Sequence, residues 1–570
     1  MVTASTAAWR KAGLKGPANG EHGKQGSAAR ELTRAPQKPK VWESAARHEF
    51  IASPVPPVPK PSSPASPLLA TPDPRQLLLP LVAAGSGATS PRSIARSDRV
   101  FVNRDLRFSN IDWIGFDMDY TLAIYRQERM DTLSVELTVE RMIRRGYPAY
   151  LKNLSYDIRF PIRGLLVDKR YGHVLKMDRY KVVQRGYHGM RQLTKDEIRA
   201  LYQSKKIRPT TPRYHWIDTL YALSEAAIYA GIVDAFEKRG LAVDYARLFA
   251  DIRECIDEAH ADGTILNAVL SDLPRFVVRD PELAPTLHKF RSAGRKLFLL
   301  TNSRWSYTDR MMTYLLGGSM HEYPTWRHFF DVVIVAAQKP AFFQQRRPLE
   351  ERVGEELRPA TFPLERGKIY QGGNLHDLER LLGVTGDRIV YVGDHIYGDI
   401  LRSKKESSWR TAMIIQEMEA EVMAHDACAT DLRRNDELEE TRTKLEDELR
   451  YHQGRYKDLT RQVEAHAAKG QNGVTLTHLS AERVRAKRSV EHVRALLREV
   501  EKETTLLVDR IDKRFHPYWG SLLKEASEKS SFGDQVEEYA CLYTSRVSNL
   551  LSYSPLHYFR SPRDLMPHEL

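Results

Sequence analysis

The sequence predicts an α/β protein built on a parallel sheet, with an inserted α+β domain and a helical hairpin near the carboxyl end. Short apolar runs alternate with helical patterns in residues 99–125 and again in 291–425. Strands that alternate with helices form βαβ units and hence a parallel sheet. Polar residues follow each of these runs, and the carboxyl ends of strands are where such sheets bind ligands.

The composition is that of a soluble globular protein with more than one domain. The chain has 570 residues, of which 42% are hydrophobic and 28% charged, and this length exceeds what one core usually holds. The formal net charge is +13, but much of the excess lies in one low-complexity segment. Charge therefore gives little support to a nucleic-acid partner, and we expect none.

Cysteine usage indicates a reducing compartment, and the hydropathy pattern bears on whether the chain enters a membrane. The three cysteines, Cys255, Cys428 and Cys541, lack Cys-x-x-Cys spacing, which argues against a disulfide framework or a thiolate metal site. The most apolar early stretch, residues 67–85, is interrupted by charges and prolines, so it predicts neither a signal peptide nor a membrane span. We expect a cytoplasmic protein with no membrane partner.

Residues 1–98 form the low-complexity segment. They are rich in Ala, Ser, Pro, Lys and Arg and show no sustained period. Such a segment buries too little surface to offset its ordering entropy, so we predict disorder. A transit peptide is the alternative, which the prolines disfavour because they break the amphipathic helix that such peptides need.

The first predicted core strand ends in two carboxylates. The apolar run at residues 111–116 is followed by Asp117, Met118 and Asp119. We expect the two acids, which lie beyond the end of the strand with Met118 between them, to point differently, so that each can reach a different atom of one substrate. This placement suits a nucleophile and a proton donor. A solvated strand end is the alternative for an isolated Asp-x-Asp.

Residues 126–290 lack the alternation of apolar runs and helical patterns seen on either side, which predicts an inserted domain above the sheet edge. A helical run is followed by a hairpin that turns near Tyr171 and Gly172, and the segment after Pro212 is mainly helical. Asp280-Pro-Glu opens a further helix, with Pro near its first position and acids in its first turn. We interpret this segment as a cap.

The later strands of the predicted sheet add polar side chains at the same edge. These side chains belong to Thr301, Asn302, Ser303, Lys339, Asp394 and Asp399. So many carboxylates repel one another unless a cation is present, and oxygen ligands without a His or Cys cluster favour Mg²⁺. A lysine and hydroxyls beside that cation suit a phosphoryl group. No Gly-Lys-Ser/Thr phosphate loop is evident, which favours removal of a phosphate over use of ATP.

Heptad spacing of apolar residues marks residues 431–512 as an antiparallel helical hairpin, a coiled coil interrupted near Gly470. Packing within one chain and oligomerisation are equally open as its role. Residues 513–570 regain aromatic side chains, and we expect them to pack on the core.

The ordered motifs resemble a known family. Asp117-Met-Asp-Tyr-Thr-Leu, a strand ending in Thr301-Asn-Ser, Lys339-Pro, and Gly393-Asp-His-Ile-Tyr-Gly-Asp resemble the four motifs of the haloacid dehalogenase (HAD) superfamily. They have the form seen in cytosolic purine 5'-nucleotidases that prefer IMP and GMP. The similarity covers residues 100–425, extends more weakly beyond 513, and includes Arg163-Gly-Leu. It implies a Rossmann-like HAD core with an α+β cap.

The resemblance assigns catalytic roles. It implies that Asp117 attacks phosphorus to form an aspartyl-phosphate. Asp119 would protonate the leaving ribose oxygen and then activate water. Lys339 would offset negative charge on the nucleophile and the phosphate.

The resemblance also assigns phosphate and metal ligands. The phosphate would be bound by Thr301, Asn302 and Ser303. Mg²⁺ would be held by Asp117, by Asp394 and by Asp119 through its main-chain carbonyl. Asp399 would orient Lys339 or a metal-bound water.

Four cap residues match substrate-side positions of the purine nucleotidases. Arg253, Asp257 and His260 share one face of a predicted helix, and Tyr221 stands where the family carries an aromatic that stacks on the base. Ala222, Ala261 and Leu266 replace polar or aromatic residues of the family, Leu266 standing in for a lysine. The resemblance therefore leaves the preferred base open.

The sequence thus predicts a phosphoric monoester hydrolase, a Mg²⁺-dependent 5'-nucleotidase acting on nucleoside monophosphates, with purine ones expected. The alternatives are a phosphatase of the same mechanism for another small ester, and a scaffold protein with a vestigial site. We expect a homo-oligomer, either a dimer or a tetramer.

Overall fold

A ten-stranded sheet forms the core, and its strand order is β1-β20-β17-β16-β3-β11-β12-β15-β13-β14. The strands in the part of the chain that the structure describes are β1 (Phe101–Val102), β2 (Leu106–Arg107), β3 (Trp113–Phe116), β4 (Ile124–Tyr125), β5 (Leu165–Asp168), β6 (His173–Met177), β7 (Val183–His188), β8 (Arg191–Gln192), β9 (Tyr214–Ile217), β10 (Val277–Val278), β11 (Lys296–Leu300), β12 (Val332–Val335), β13 (Leu349–Val353), β14 (Glu356–Pro359), β15 (Ile369–Gly372), β16 (Ile389–Gly393), β17 (Arg410–Ile414), β18 (Lys524–Glu525), β19 (Glu528–Lys529), β20 (Leu542–Thr544) and β21 (Tyr558–Phe559). The central strands from β20 to β15 are parallel, and antiparallel strands β1, β13 and β14 complete the edges.

This computed structural model describes residues 94–203, 207–470, 473–563 and 565–569. The predicted disorder of residues 1–98 therefore falls almost wholly outside the described residues. Within the described part, Arg96–Asp98 form a 3-10 helix, and Ser97 accepts a hydrogen bond at its main-chain oxygen from the Ser545 hydroxyl. The last residues of the segment predicted as disordered, Arg96–Asp98, are therefore ordered.

Helices cover both faces of the core sheet and build most of the cap, as expected for an α/β protein. The α-helices are Gln127–Arg144, Lys195–Ile198, Leu223–Glu237, Tyr245–Ala261, Thr264–Ser271, Leu273–Phe276, Leu283–Ser292, Trp305–Leu316, Ala341–Gln344, Leu375–Leu382, Arg402–Glu406, Met418–Ala427, Ala429–Ala468, Val474–Phe515 and Ser531–Tyr539. Among the described residues, none of the helices combines the length and the apolar character that crossing a bilayer requires.

The central strand β3 is buried along its whole length, which explains its continuous apolar sequence. Gly115 faces Phe298 of the neighbouring strand β11. A Cβ atom at position 115 would lie 2.1 Å from the Phe298 ring, so only glycine allows this ring to cross the strand. The close packing fixes β3 in the middle of the sheet, and Asp117 directly follows it.

The cap is inserted between β3 and β11. Its antiparallel sheet has the order β8-β7-β6-β5-β9, and β5 and β6 form the hairpin predicted near Gly172. The strands β4 and β10, which lead into and out of the cap, pair with each other. The helix Leu283–Ser292 spans residue 290, the predicted end of the cap, and its Phe290 stacks on Phe108, which precedes β3.

The residues after the hairpin contact both the cap and the core. The strand β20 joins the core sheet beside β17. Residues 516–531, which we call the strap, lie against the cap sheet: buried Lys176 of β6 donates to the main-chain oxygens of Trp519, Ser521 and Lys524 at 2.7–2.8 Å. The sequence predicted packing on the core alone, and the structure adds this contact with the cap.

The predicted helical hairpin near the carboxyl end is present. Its helices Ala429–Ala468 and Val474–Phe515 run antiparallel, and ion pairs Asp431–Arg510 and Arg455–Glu482 link their two ends. Leu438, Leu507 and Ile511 are buried at the base. One helix begins beside a core helix, and the other ends at the strap.

Candidate active site

The polar residues singled out in the sequence lie together at one edge of the core sheet. Asp117 and Asp119 follow β3, Thr301 follows β11, Lys339 lies shortly after β12, and Asp394 follows β16. The strands β3, β11, β12 and β16 are parallel neighbours. Their carboxyl ends therefore meet at one place, where open α/β sheets bind ligands.

Lys339 lies at the centre of the site and is buried. Its Nζ lies 2.8 Å from Asp117 Oδ1 and 2.6 Å from Asp399 Oδ1, and it donates to the Tyr391 hydroxyl at 2.8 Å. Burial lowers the pKa of Lys339, but the carboxylates of Asp117 and Asp399 outweigh this effect and raise the pKa above its ordinary value. Lys339 is therefore a cation at neutral pH.

Three buried carboxylates form an acidic cluster. Asp117, Asp394 and Asp399 each offer one carboxylate oxygen, and these atoms lie within 4.8 Å of one another. Burial raises the pKa of Asp117 well above its ordinary value against the opposing effect of Lys339. Burial, followed by the charge of Asp399, raises the pKa of Asp394 to about 7. The cluster is thus short of positive charge, and its all-oxygen donor set fits a divalent cation such as Mg²⁺.

Asp119 has a separate environment within the same site. Its Oδ1 accepts a hydrogen bond from the Tyr125 hydroxyl at 2.6 Å, and its Oδ2 accepts one from the Ser303 hydroxyl at 2.7 Å. The Tyr307 hydroxyl lies 2.8 Å from that of Tyr125. Burial raises the pKa of Asp119, although the bonds from Tyr125 and Ser303 oppose it. Its side chain thus lies outside the acidic cluster and is held by hydroxyl groups.

The loop after β11 contacts both Lys339 and Asp119. Asn302 Nδ2 donates to the main-chain oxygen of Lys339 at 2.9 Å, and its Oδ1 accepts from the Lys339 N–H at 2.6 Å. The buried Thr301 hydroxyl accepts from the N–H of Ser303 at 3.1 Å. Of the three residues predicted to bind phosphate, Asn302 therefore positions Lys339, and Ser303 contacts Asp119.

Three aromatic rings connect the loop after β3 to the cap. The Tyr221 ring meets the ring of Tyr120 edge-on at a centroid distance of 4.7 Å and that of His260 at 5.7 Å. Tyr120 adjoins Asp119 and has a φ of 57°, in the left-handed region that non-glycine residues rarely adopt. This turn brings the Tyr120 ring toward Tyr221. Tyr221 thus contacts the residue that follows Asp119, and His260 contacts Tyr221.

The remaining predicted cap residues lie on the helix Tyr245–Ala261 with His260. Arg253 Nη1 lies 2.6 Å from His215 Nε2 and 3.5 Å from Glu225 Oε2. Burial, followed by the charge of Arg253, lowers the pKa of His215 to about 3, so His215 is neutral and accepts a hydrogen bond. Asp257 Oδ1 is buried and has no hydrogen-bond partner among the described residues, which leaves it free to accept one.

The family follows from comparison with known proteins. The model of the 5' nucleotidase family matches residues 100–570. The chain belongs to this family. Membership confirms the resemblance stated from the sequence and the predicted class of enzyme, a phosphoric monoester hydrolase.

Two relatives of this 5' nucleotidase family member are 5'-nucleotidase domain-containing proteins. One, from Dictyostelium discoideum, is 29% identical over 482 residues, which are 82% of this chain and 74% of the relative. The other, 5'-nucleotidase domain-containing protein 2 of Rattus norvegicus, is 32% identical over 348 residues, which are 58% of this chain and 61% of the relative. The chain thus matches less than two thirds of the length of the rat protein.

Solved structures show a more distant similarity. CbbY from Rhodobacter sphaeroides, in complex with phosphate, is 15% identical with a TM-score of 0.21, over 53% of this chain and 86% of that protein. L-2-haloacid dehalogenase from Xanthobacter autotrophicus is 13% identical with a TM-score of 0.19, over 54% of this chain and 78% of that protein.

Sequence reasoning missed several side chains at the site of this family member. Tyr125 contacts Asp119, Tyr307 contacts Tyr125, and Tyr391 contacts Lys339. Arg163 belonged to a quoted motif but received no role, although it donates to the main-chain oxygen of Asp394. The hydroxyls of buried tyrosines leave no recognisable pattern in the sequence. Arg163 could have been found, because a charged residue inside an otherwise apolar motif indicates a specific role.

Proposed function

We propose that this chain is a Mg²⁺-dependent 5'-nucleotidase that hydrolyses nucleoside 5'-monophosphates, with a preference for purine ones, through an aspartyl-phosphate. The observation that carries this proposal is the contact of Lys339 with both Asp117 and Asp399 at 2.6–2.8 Å, beside the carboxylate of Asp394. A carboxylate nucleophile beside a buried ammonium group and a candidate site for a divalent cation suits a phosphoryl group, because the two cations would offset the negative charge on its oxygens.

Asp117 is the proposed nucleophile. Lys339 lies against Asp117 Oδ1, which leaves Oδ2 to attack phosphorus. The positive charge of Lys339 favours the ionised carboxylate of Asp117 against the effect of burial and neutralises part of the charge on the phosphoryl oxygens.

Asp119 is the proposed acid and base. Its raised pKa favours a carboxyl group that carries a proton at the start of the reaction and gives it to the ribose oxygen that leaves. The same group, then ionised, removes a proton from the water that attacks the aspartyl-phosphate. The bonds from Tyr125 and Ser303 orient the carboxyl group for both steps.

Asp117, Asp394 and the main-chain carbonyl of Asp119 would hold Mg²⁺. When bound, the ion supplies positive charge to the phosphoryl oxygens and the acidic cluster. Asp399 accepts from Lys339 at 2.6 Å and so fixes the ammonium group beside Asp117. Thr301 completes the edge on which the phosphate would lie.

Tyr221, Arg253, Asp257 and His260 would contact the nucleoside part of the substrate. Tyr221 can stack on a base, Arg253 can donate to ring acceptors, and the free oxygen of Asp257 can accept from an N–H group. Leu266 packs against the hydrophobic core, so this position adds no polar contact to the base.

A screen of phosphate release tests the proposal. Full-length protein is assayed with purine and pyrimidine 5'-monophosphates and with sugar phosphates, with Mg²⁺ and with a chelator. Asp117→Asn is the inactive variant, and Asp387→Asn is its matched control, because Asp387 is an exposed aspartate outside the site. We expect release from purine nucleotides that requires Mg²⁺ and is abolished only by Asp117→Asn.

The other outcomes separate the alternatives. Release from sugar phosphates alone contradicts the nucleotidase proposal and favours a phosphatase for another small ester. No release from any ester contradicts both and favours the scaffold hypothesis.

A homo-oligomer and a cytoplasmic location remain part of the proposal, and sizing and imaging of the full chain test them.

A further inference from the structure

Arg163 joins four parts of the chain at one buried guanidinium. It lies in the cap just before β5 and is almost fully buried. Its Nη1 donates to the main-chain oxygen of Asp394 at 2.9 Å. Its Nε and Nη2 donate to the two carboxylate oxygens of Glu417 at 2.8 and 2.6 Å. The guanidinium also lies 5.0 Å from the centroid of the Phe532 ring, directly after the strap.

The bond to Asp394 acts on the acidic cluster. Asp394 supplies one of the three clustered carboxylates, and it follows the end of β16. A hydrogen bond to its main-chain oxygen fixes the peptide plane from which the residue's own side chain emerges. Because the donor is charged and buried, this bond is stronger than one between neutral groups. Arg163 thereby restrains the direction of the Asp394 carboxylate.

The partner of Arg163 also belongs to the surroundings of the site. Glu417 directly precedes the core helix Met418–Ala427. The side chain of the preceding residue, Gln416, donates to the main-chain oxygen of Tyr120 at 3.3 Å. The segment 416–417 thus contacts the loop that carries Asp119 and, through Arg163, the loop that carries Asp394. Arg163 is the cap residue in this set of contacts.

We propose that Arg163 is a positioning residue for the metal site, which makes the affinity for Mg²⁺ depend on the seating of the cap against the core. The inference rests on the proposed function for the identity of the metal. With Arg163 in place, the Asp394 loop and the segment 416–417 are held in one arrangement. When the guanidinium donors of Arg163 are removed, the Asp394 carboxylate is free to turn away from Asp117.

The decisive variant is Arg163→Lys in the full chain. Lysine keeps the charge but lacks the planar fork that contacts Asp394 and Glu417 together. Metal binding is measured without substrate, by calorimetric titration with Mg²⁺. We expect an affinity about tenfold lower than in the wild type, the lower end of the effect found for groups that support metal ligands. In assays, the activity lost at low Mg²⁺ returns at high Mg²⁺, while the KM for the ester at saturating Mg²⁺ does not change.

The matched control is Arg546→Lys. Arg546 forms the same two-bond contact with Glu419, at 2.6 and 2.9 Å, two residues from Glu417, and it is not one of the residues of the site. We expect unchanged Mg²⁺ affinity for this variant. An equal loss in both variants would overturn the proposal, because it would reduce Arg163 to one structural ion pair among others.

A second variant keeps the test decisive if Arg163→Lys does not fold. Glu417→Gln removes the charge that holds the guanidinium, at a partly exposed position, and we expect a weaker affinity for Mg²⁺ here too. Wild-type affinity in a folded Arg163→Lys or Glu417→Gln protein would overturn the proposal. If the wild type binds Mg²⁺ but releases phosphate from no ester, the proposed function fails while the role of Arg163 is still decided by the titration.

Discussion

The side-chain amide of Asn302 exchanges two hydrogen bonds with the main chain of Lys339, one donated at 2.9 Å and one accepted at 2.6 Å. Asn302 lies after β11, and Lys339 lies in the loop after β12. The pair therefore locks two neighbouring strand ends together and places the lysine ammonium group between Asp117 and Asp399.

Replacing Asn302 with alanine is expected to lower kcat about tenfold, since a net loss of about 1.4 kcal/mol is within the range for two hydrogen bonds. The KM should change little, because Lys339 acts on the reacting phosphoryl group. Steady-state kinetics of the full chain measure both constants.

Asn374→Ala is the control for this prediction. Asn374 makes the same kinds of bond elsewhere: it donates to the Arg347 main-chain oxygen at 2.7 Å and accepts from the Asp377 N–H at 3.0 Å. We expect lower thermal stability and an unchanged kcat. Equal kcat values for both variants and the wild type would contradict the positioning role of Asn302.

Tyr125→Phe is expected to move the pH dependence of the reaction. The Tyr125 hydroxyl donates to Asp119, which favours the ionised carboxylate and lowers its pKa. Its removal should therefore shift the limb of the pH–rate profile that reports Asp119 upward by about one pH unit, the equivalent of about 1.4 kcal/mol. Tyr307→Phe, which removes a hydroxyl bonded to Tyr125, should give a smaller shift. No movement of either limb in Tyr125→Phe would argue against Asp119 as the titrating acid and base.

Asp131→Asn is expected to change how stability depends on pH. Burial raises the pKa of Asp131 from 3.8 to about 7. Between these values the folded chain keeps a proton that the unfolded chain releases, so the stability that Asp131 contributes is present below pH 4 and is lost as the pH rises through 7. Relative to the variant, the wild type should lose about 3 kcal/mol of unfolding free energy between pH 5 and pH 8.

Denaturant unfolding at the two pH values measures this difference. Glu136→Gln is the control, because Glu136 is exposed on the same helix. Parallel stability curves for the wild type and Asp131→Asn would show that Asp131 ionises normally in the folded chain.

Shortening the hairpin tests its part in assembly. Ion pairs Arg434–Glu503 and Arg455–Glu482 define the register of the two helices. Replacing residues 445–492 with a short Gly-rich turn therefore removes facing segments from the ends of the two helices that meet at the turn. The buried base of the hairpin, with Leu438 and Leu507, remains. If the hairpin makes the homo-oligomer, light scattering should report a monomer. An unchanged oligomer mass would assign the hairpin to packing within one chain.

The strand ends that form the site could be predicted from the sequence because each core strand is a short apolar run with polar residues at one end. Asp117, Lys339 and Asp394 lie together for this reason. Their ordered recurrence also carried the resemblance to the 5' nucleotidase family, which the family comparison confirmed.

Other features depend on packing between distant segments and leave no local pattern. In the sequence, Lys176 looks like any exposed charged residue of a strand. In the structure it is buried by the strap, which lies far from it in the sequence. Tyr125 contacts Asp119, and Tyr307 contacts Tyr125, only because β4 and the helix Trp305–Leu316 lie next to each other there. The contact of Asn302 with Lys339 likewise could not be derived from either residue alone.

The most direct test of the account is whether Asp119→Asn traps phosphate on Asp117. The amide can neither protonate a ribose oxygen nor activate water, so the probe is p-nitrophenyl phosphate with Mg²⁺, whose leaving group departs without a proton and should leave the variant phosphorylated. Intact-mass spectrometry and peptide mapping should place the phosphate on the peptide that contains Asp117, with none in Asp117→Asn. If the wild type hydrolyses p-nitrophenyl phosphate but Asp119→Asn never carries a phosphate, the proposed nucleophile and base are contradicted.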